Sequence, residues 1–152
     1  VTIAEAEEKI FKYCHYQPRS QEEVLRKLRS MPIIPDAVDE LLVNCITNGW
    51  VKEADFAYQY VTGKFRQKGW GKNKIRNGLY AKGVREPILS ESLATIDDEE
   101  YEASIRTIAS KKAKNITGRN AWEKHQKLLR YLLQRGYALD EIQKALHAPE
   151  HD

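Results

Sequence analysis

One spacing of apolar residues governs what this chain can fold into. Val24, Leu28, Val38 and Leu42 lie 4, 10 and 4 residues apart; Ile75, Leu79, Leu89 and Leu93 repeat those intervals, as do Leu128, Leu132, Ile142 and Leu146. A step of four keeps two side chains on one face of an α-helix, and the gap of ten leaves room for a turn before the next helix. The sets are offset by 51 and 53 residues. Each is preceded by a further helix: Ala6, Ile10 and Cys14 match Ala57, Val61 and Phe65 at the same distances. Ile105, Ala109 and Ala113 complete the third set if the loop at 115–120 is five residues longer. The expected fold is all-α, three tandem three-helix repeats over 1–53, 54–98 and 99–152. A unit of ~50 residues buries little surface alone and gains by packing on its neighbour, so the array is expected to be elongated.

Local punctuation agrees with this reading. Ser20-Gln-Glu-Glu23 has the form of a capping box, and so does Asn120-Ala-Trp-Glu123. Pro35 suits the first turn of a helix ending at Asn48-Gly49. Asp55 is expected to cap a helix over 56–68 stopped by Gly69; Gly71 opens the next, ended by Gly83, and Pro87 suits the first turn of another. Asp98 is expected to cap a helix over 99–115. The helix after Asn120 should stop at Gly136, and a last one should run over 139–147 before Pro149. No stretch alternates at period two for long enough to make a strand.

Charge is unevenly spread. The 152 residues carry 25 Lys and Arg against 22 Asp and Glu, a net charge of +3. Residues 1–53 hold 7 basic and 9 acidic side chains, 54–98 hold 8 and 5, and 99–152 hold 10 and 8. No acid lies between Asp55 and Glu86, where Lys64, Arg66, Lys68, Lys72, Lys74, Arg76, Lys82 and Arg85 occur. A second acid-free window, between Glu102 and Glu123, holds Arg106, Lys111, Lys112, Lys114 and Arg119. Helical geometry places Lys72, Arg76 and Tyr80 in one stripe and Tyr60, Lys64 and Lys68 in another. Basic side chains interleaved with tyrosines suit phosphates plus bases that stack on rings. A solvated face whose long stems cover apolar neighbours would explain a single run of this kind. An acid-free window of this length favours polyanion contact. Candidate polyanion-contacting residues are Lys64, Arg66, Lys68, Lys72, Lys74, Arg76, Lys82, Lys111, Lys112, Lys114 and Arg119. Trp50 is expected to pack between repeats and Trp122 in the core. Trp70, between Gly69 and Gly71, is expected as a plug at a helix junction or as an exposed ring.

Catalytic constellations are not found in the sequence. His15, His125, His147 and His151 form no HExxH, and no Cys/His group has zinc spacing. Gly69-Trp-Gly71-Lys72 lacks the spacing of a phosphate-cradling loop. No serine lies in a nucleophile elbow. The reading is a non-enzyme with no cofactor and no metal. The longest apolar runs are three residues, far below the ~20 a membrane span needs. Val1 to Ala4 runs directly into Glu5, which gives no apolar signal core. Cys14 and Cys45 lack CxxC spacing, and a reduced, cytoplasmic chain with a buried Cys14 thiol is expected.

Phe56-Ala57, Val61, Lys64 to Arg66, Gly69 to Gly71, Ile75, Leu79 and Lys82-Gly83-Val84 together resemble the central signature of the bacterial RecX family. Arg19-Ser20, Glu23-Val24 and Lys27-Leu28 are similar to its first repeat, and Leu128, Leu132, Gly136-Tyr137 and Ile142 to its last. Gly63 and Gly78, inside predicted helices, depart from helical preference by ~1 kcal/mol each. The resemblance implies three tandem three-helix repeats in a monomer that modulates the RecA recombinase. It implies binding to the RecA filament on single-stranded DNA, with duplex DNA as a secondary ligand. Lower recombination, ATPase and co-protease activity, in homologous recombination, DNA repair and SOS control, would follow. The alternative is a stand-alone helix-turn-helix-like DNA-binding protein acting in transcription. Such proteins usually pair across two half-sites, and no dimerisation helix is evident.

Overall fold

The computed structural model describes residues 1–147, and all regular structure among them is helical. The helices are α1 (Ile3–Tyr16), α2 (Gln21–Arg29), α3 (Pro35–Thr47), α4 (Glu53–Arg66), α5 (Lys72–Ala81), α6 (Ile88–Leu93), α7 (Asp98–Ala113), α8 (Ala121–Gln134) and α9 (Leu139–His147). Pro149 and His151 lie outside the described residues. No described helix is long and apolar enough to cross a membrane. The chain divides into two compact units: Val1–Gln59 with Leu79–Ser92, and Tyr60–Gly78 with the chain from Leu93 onward. Helices α4 and α5 each contribute residues to both.

The first unit packs α1, α2 and α3 around Ala6, Ile10, Cys14, Val24, Leu28, Leu41 and Cys45. Entry into α2 is fixed by the expected capping box. Ser20 Oγ accepts the Glu23 amide at 3.1 Å while the Ser20 amide donates to the Glu23 carboxylate at 3.3 Å. Val38 belongs to this core, but Leu42 is only partly buried, and Leu41 takes the deeper position. Cys14 and Cys45 are both buried free thiols. A hydrogen bond between them pulls the Cys14 thiol down and pushes Cys45 up.

The second unit is built on α7, α8 and α9, with the last turns of α4 and the first of α5. Its core comprises Val61, Phe65, Ile75, Tyr101, Ile105, Leu132, Tyr137 and Ile142. Each fully buried Ile or Leu contributes about 1.5–3 kcal/mol of transfer free energy. Ala113 is exposed and the buried run of α7 is Tyr101, Ile105 and Ala109, one turn earlier than the spacing predicts. A tyrosine fills the core position because its hydroxyl is satisfied. Tyr101 Oη accepts the Lys72 amide at 2.9 Å and donates to Glu141 at 3.0 Å, and Glu141 also accepts the Ala138 amide at 2.8 Å. Leu128 and Leu146 are only partly buried, leaving Leu132, Ile142 and Ala145 as the sealed positions of α8 and α9.

Several boundaries move by a residue or more. Helix α4 starts at Glu53, so Asp55 lies inside its first turn, where a carboxylate favours the N-terminal end of the dipole, and the helix ends at Arg66 rather than 68. The cap of α7 is Asp97, whose carboxylate accepts the Glu100 amide at 3.0 Å, and not Asp98. Pro87 precedes α6, and its carbonyl accepts the Glu91 amide. Asn120 accepts the Glu123 amide at 2.8 Å, while the Glu123 carboxylate meets Arg119 at 3.0 Å. The predicted stops Gly49, Gly69, Gly83 and Gly136 all hold positive φ, the left-handed conformation that ends a helix at least cost to glycine.

The two mid-helix glycines differ in kind. A Cβ at Gly63 would meet no atom within 4 Å, whereas one at Gly78 would collide with Tyr60 Oη. Gly63→Ala is expected to raise stability by ~1 kcal/mol through helix propensity and unfolded-state entropy. Gly78→Ala keeps that gain but must push the half-buried Tyr60 side chain aside, an overpacking cost of about 2 kcal/mol, so its stability should fall by ~1 kcal/mol. Urea melts of the two variants should therefore shift in opposite directions.

Candidate nucleic-acid interface

The acid-free windows do not form one uniform basic face; the fold sorts their cations into distinct settings. The largest set comes together because α4 stops at Arg66. The chain turns at Gln67-Lys68-Gly69, which takes Lys68 off the Tyr60–Lys64 stripe. Arg66 and Lys68 then line a groove of about 730 Å³ together with Lys111 and Lys112 at the end of α7 and Tyr131 and Arg135 at the end of α8. Phe65, Ala103 and Ile108 add apolar surface to it, and Gln67, Ser104, Thr107 and Asn115 add neutral hydrogen-bonding groups.

The groove is electropositive in net terms. Among the described residues that line it, five are cationic and Glu100 is the one acid. Glu100 is engaged by Arg66 through two parallel bonds, Nε to Oε1 at 3.0 Å and Nη2 to Oε2 at 3.3 Å. An exposed pair of this kind is worth about 0–1 kcal/mol, so it can be exchanged for another anion at little cost. Arg135 is fixed differently: its guanidinium donates to the Lys68 carbonyl and to Tyr131 Oη (3.4 Å). Its Nε is buried without a hydrogen-bond partner among the described residues. Lys112 Nζ lies 4.4 Å from the Tyr131 ring centroid.

Lys64 and Lys74 hold their ammonium groups over the half-buried Trp70 ring, at 4.8 and 4.5 Å, so Trp70 is a junction plug that also organises two cations. Lys72 lies 4.7 Å from the Tyr101 ring, in a small cavity lined also by Asp98, Glu102 and Glu141. Arg76 is exposed and donates to the Asn73 side chain at 3.0 Å. Lys114 is exposed, and Arg119 is exposed and paired with Glu123. Lys82 belongs to the first unit and is half-buried. In that unit Tyr80 is exposed with the Arg85 guanidinium 3.7 Å from its ring centroid. Trp122 is exposed, contrary to the core position expected of it. Trp50 packs on the first unit's own core, edge-on to Phe11 at 4.9 Å.

Tyr131 and Arg135 are the residues sequence reasoning missed. They sit outside both acid-free windows, Tyr131 in the last turn of α8 and Arg135 four residues on as its C-cap, and that spacing puts them on one face. Beneath the groove, the turn before α5 is bonded to the turn after α8. The Gly71 amide donates to the Arg135 carbonyl at 2.8 Å, the Asn73 amide to the Gly136 carbonyl at 3.0 Å, and Tyr137 Oη to the Gly69 carbonyl at 3.0 Å. Burial raises the Tyr101 and Tyr137 phenols, which keeps both neutral as donors. No described cluster of three or more His, Cys, Asp or Glu is arranged to hold a metal ion.

Family models described as the second and the third three-helix domain of RecX match residues 53–93 and 98–146, together more than half of the chain. The regulatory protein RecX of Lactobacillus johnsonii is 36% identical over 99 residues, covering 64% of this chain and 36% of that protein. The regulatory protein RecX of Serratia proteamaculans is 30% identical over 112 residues, covering 74% and 65%. The chain thus spans between about a third and two-thirds of the length of these relatives. The crystal structure of RecX from Lactobacillus salivarius superposes with a TM-score of 0.82 at 26% identity, covering 95% of this chain and 94% of that one.

Proposed function

The chain belongs to the RecX family, and from that premise we propose that it is a non-catalytic regulator of the RecA recombinase, acting on the RecA filament assembled on single-stranded DNA. The observation that carries the nucleic-acid half of this reading is the groove of the second unit, where five cations face one carboxylate that is itself paired. Polyanions are held chiefly by such charge, and single strands additionally by rings on which bases stack. Lys64 and Lys74 around Trp70, Arg76 and Lys114 extend the basic surface beyond the groove. Lys72, Lys82 and Arg119 complete the proposed contact set.

The regulator works as a cytoplasmic monomer of three helical repeats, 1–53, 54–98 and 99–152. It binds single-stranded DNA in preference to duplex and damps recombination and SOS signalling by limiting the filament. The more acidic first repeat faces basic protein surface or solvent, and the basic region faces DNA.

A gel-shift series tests this, using a fluorescent single strand with and without RecA. If about four to six phosphates are neutralised, log affinity for the free strand should fall with log salt at a slope of roughly −3 to −4. Lys74→Glu with Arg76→Glu should remove most of the binding, since each exposed cation becomes a repulsive charge beside the same phosphate. Binding insensitive both to salt and to this double variant would leave the basic surface as a solubility feature and refute the DNA half of the proposal.

A further inference from the structure

We propose that the groove between α7 and α8 is a nucleotide seat: it takes one base-and-phosphate unit of a single strand, the base against Tyr131 and Ile108 and the flanking phosphate against Lys68, Lys111 and Lys112. This rests on the nucleic-acid half of the proposed function and says where and how the strand is held.

Three features of the groove carry the inference. Its charge is in excess: Lys68, Lys111, Lys112 and Arg135 line one concavity and none of them has a carboxylate partner among the described residues. Its surface is mixed, with Phe65, Ala103 and Ile108 beside Gln67, Ser104, Thr107 and Asn115, the combination that a base with an apolar face and a hydrogen-bonding edge requires. Its shape is concave. A duplex presents a convex phosphate backbone and hides its bases, whereas a single strand can turn a base into a recess. A volume of about 730 Å³ accommodates such a unit.

The free protein keeps the seat assembled. Lys112 Nζ sits over the Tyr131 ring at 4.4 Å, and Arg135 bonds Tyr131 Oη and the Lys68 carbonyl. When a base stacks on that ring, the Lys112 ammonium exchanges its ring contact for a phosphate, which is the stronger partner. The Arg66–Glu100 pair at the rim can open in the same way. Arg135 stays in place as the bracket that holds the turn at Lys68 against α8.

The test uses the full chain and a 15-nucleotide oligothymidylate carrying 5-iododeoxyuridine, irradiated in the complex and mapped by mass spectrometry. The expected result is a cross-link at Tyr131 that disappears in Lys111→Glu/Lys112→Glu. Tyr131→Ala should weaken binding roughly tenfold with an unchanged salt slope, because it removes a stacking surface and no charge. Tyr131→Phe should retain binding, which separates loss of the ring from loss of the fold. Binding that survives Tyr131→Ala, with cross-links confined to Trp70, Tyr60 or Tyr80, would overturn the seat while leaving the DNA-binding reading intact. Failure of the wild-type chain to bind the oligonucleotide at all would overturn both.

Discussion

Gly71→Ala should cost the second unit roughly 3–5 kcal/mol, at the top of the range for one substitution, and lower its melting temperature by at least about 12 °C. The backbone of Gly71 has an ordinary φ, so strain is not the issue; space is. A Cβ there would sit on the Gly136 carbonyl and the Tyr137 amide, which are backbone atoms that no side-chain rotation can move. Giving way means separating the two turns, and those turns are held by Gly71 to Arg135 and Asn73 to Gly136. The Tyr137 and Arg135 bonds to Gly69 and Lys68 cross the same seam. Each lost bond costs about 1 kcal/mol net, and more where a buried group is left unpaired. The seam also places Lys68 beside Arg135, so the same variant should weaken binding of single strands. Gly63→Ala, which meets nothing, is the matched control. A Gly71→Ala chain melting within 2 °C of the parent would show that the seam contributes little.

Local chemistry was legible in the sequence and assembly across helices was not. Gly49, Gly69, Gly83 and Gly136 were readable as stops because a left-handed residue at a helix end is a property of a few consecutive positions. The Ser20 box was readable for the same reason. Asp97 and Asp98 are chemically equivalent neighbours, so which one caps α7 is decided by geometry that spacing does not contain. The apolar spacing admits Ala113 because an alanine needs no partner, and it carries no signal for Tyr101. A tyrosine enters a core only when something satisfies its hydroxyl, and here Lys72 and Glu141, distant in sequence, do so. The candidate site divides along the same line. Acid-free windows reveal which segments are basic, hence Lys68, Lys111 and Lys112. They say nothing of Tyr131 and Arg135, which share a helix with Glu123 and join the groove only through tertiary packing. Lys72 shows the converse: its window is basic, yet the fold sets it beside Asp98, Glu102 and Glu141.

The second large effect concerns the recombinase. A chain that lies on a nucleoprotein filament must engage protein and phosphate together, so losing either contact should release most of the inhibition. Lys74→Glu/Arg76→Glu is expected to reduce inhibition of RecA by at least tenfold in the concentration required, since two attractions become two repulsions. Asp39→Asn/Glu40→Gln, which alters two exposed acids on α3, should change it by less than threefold.

The most direct measurement is RecA's single-strand-dependent ATPase, followed while the chain is titrated onto preformed filaments of a recombinase from the same source. Hydrolysis should fall at fewer than one chain per RecA protomer, and the Lys74/Arg76 reversal should restore it. Unchanged hydrolysis with the intact chain in excess would contradict the claim that this protein regulates the filament.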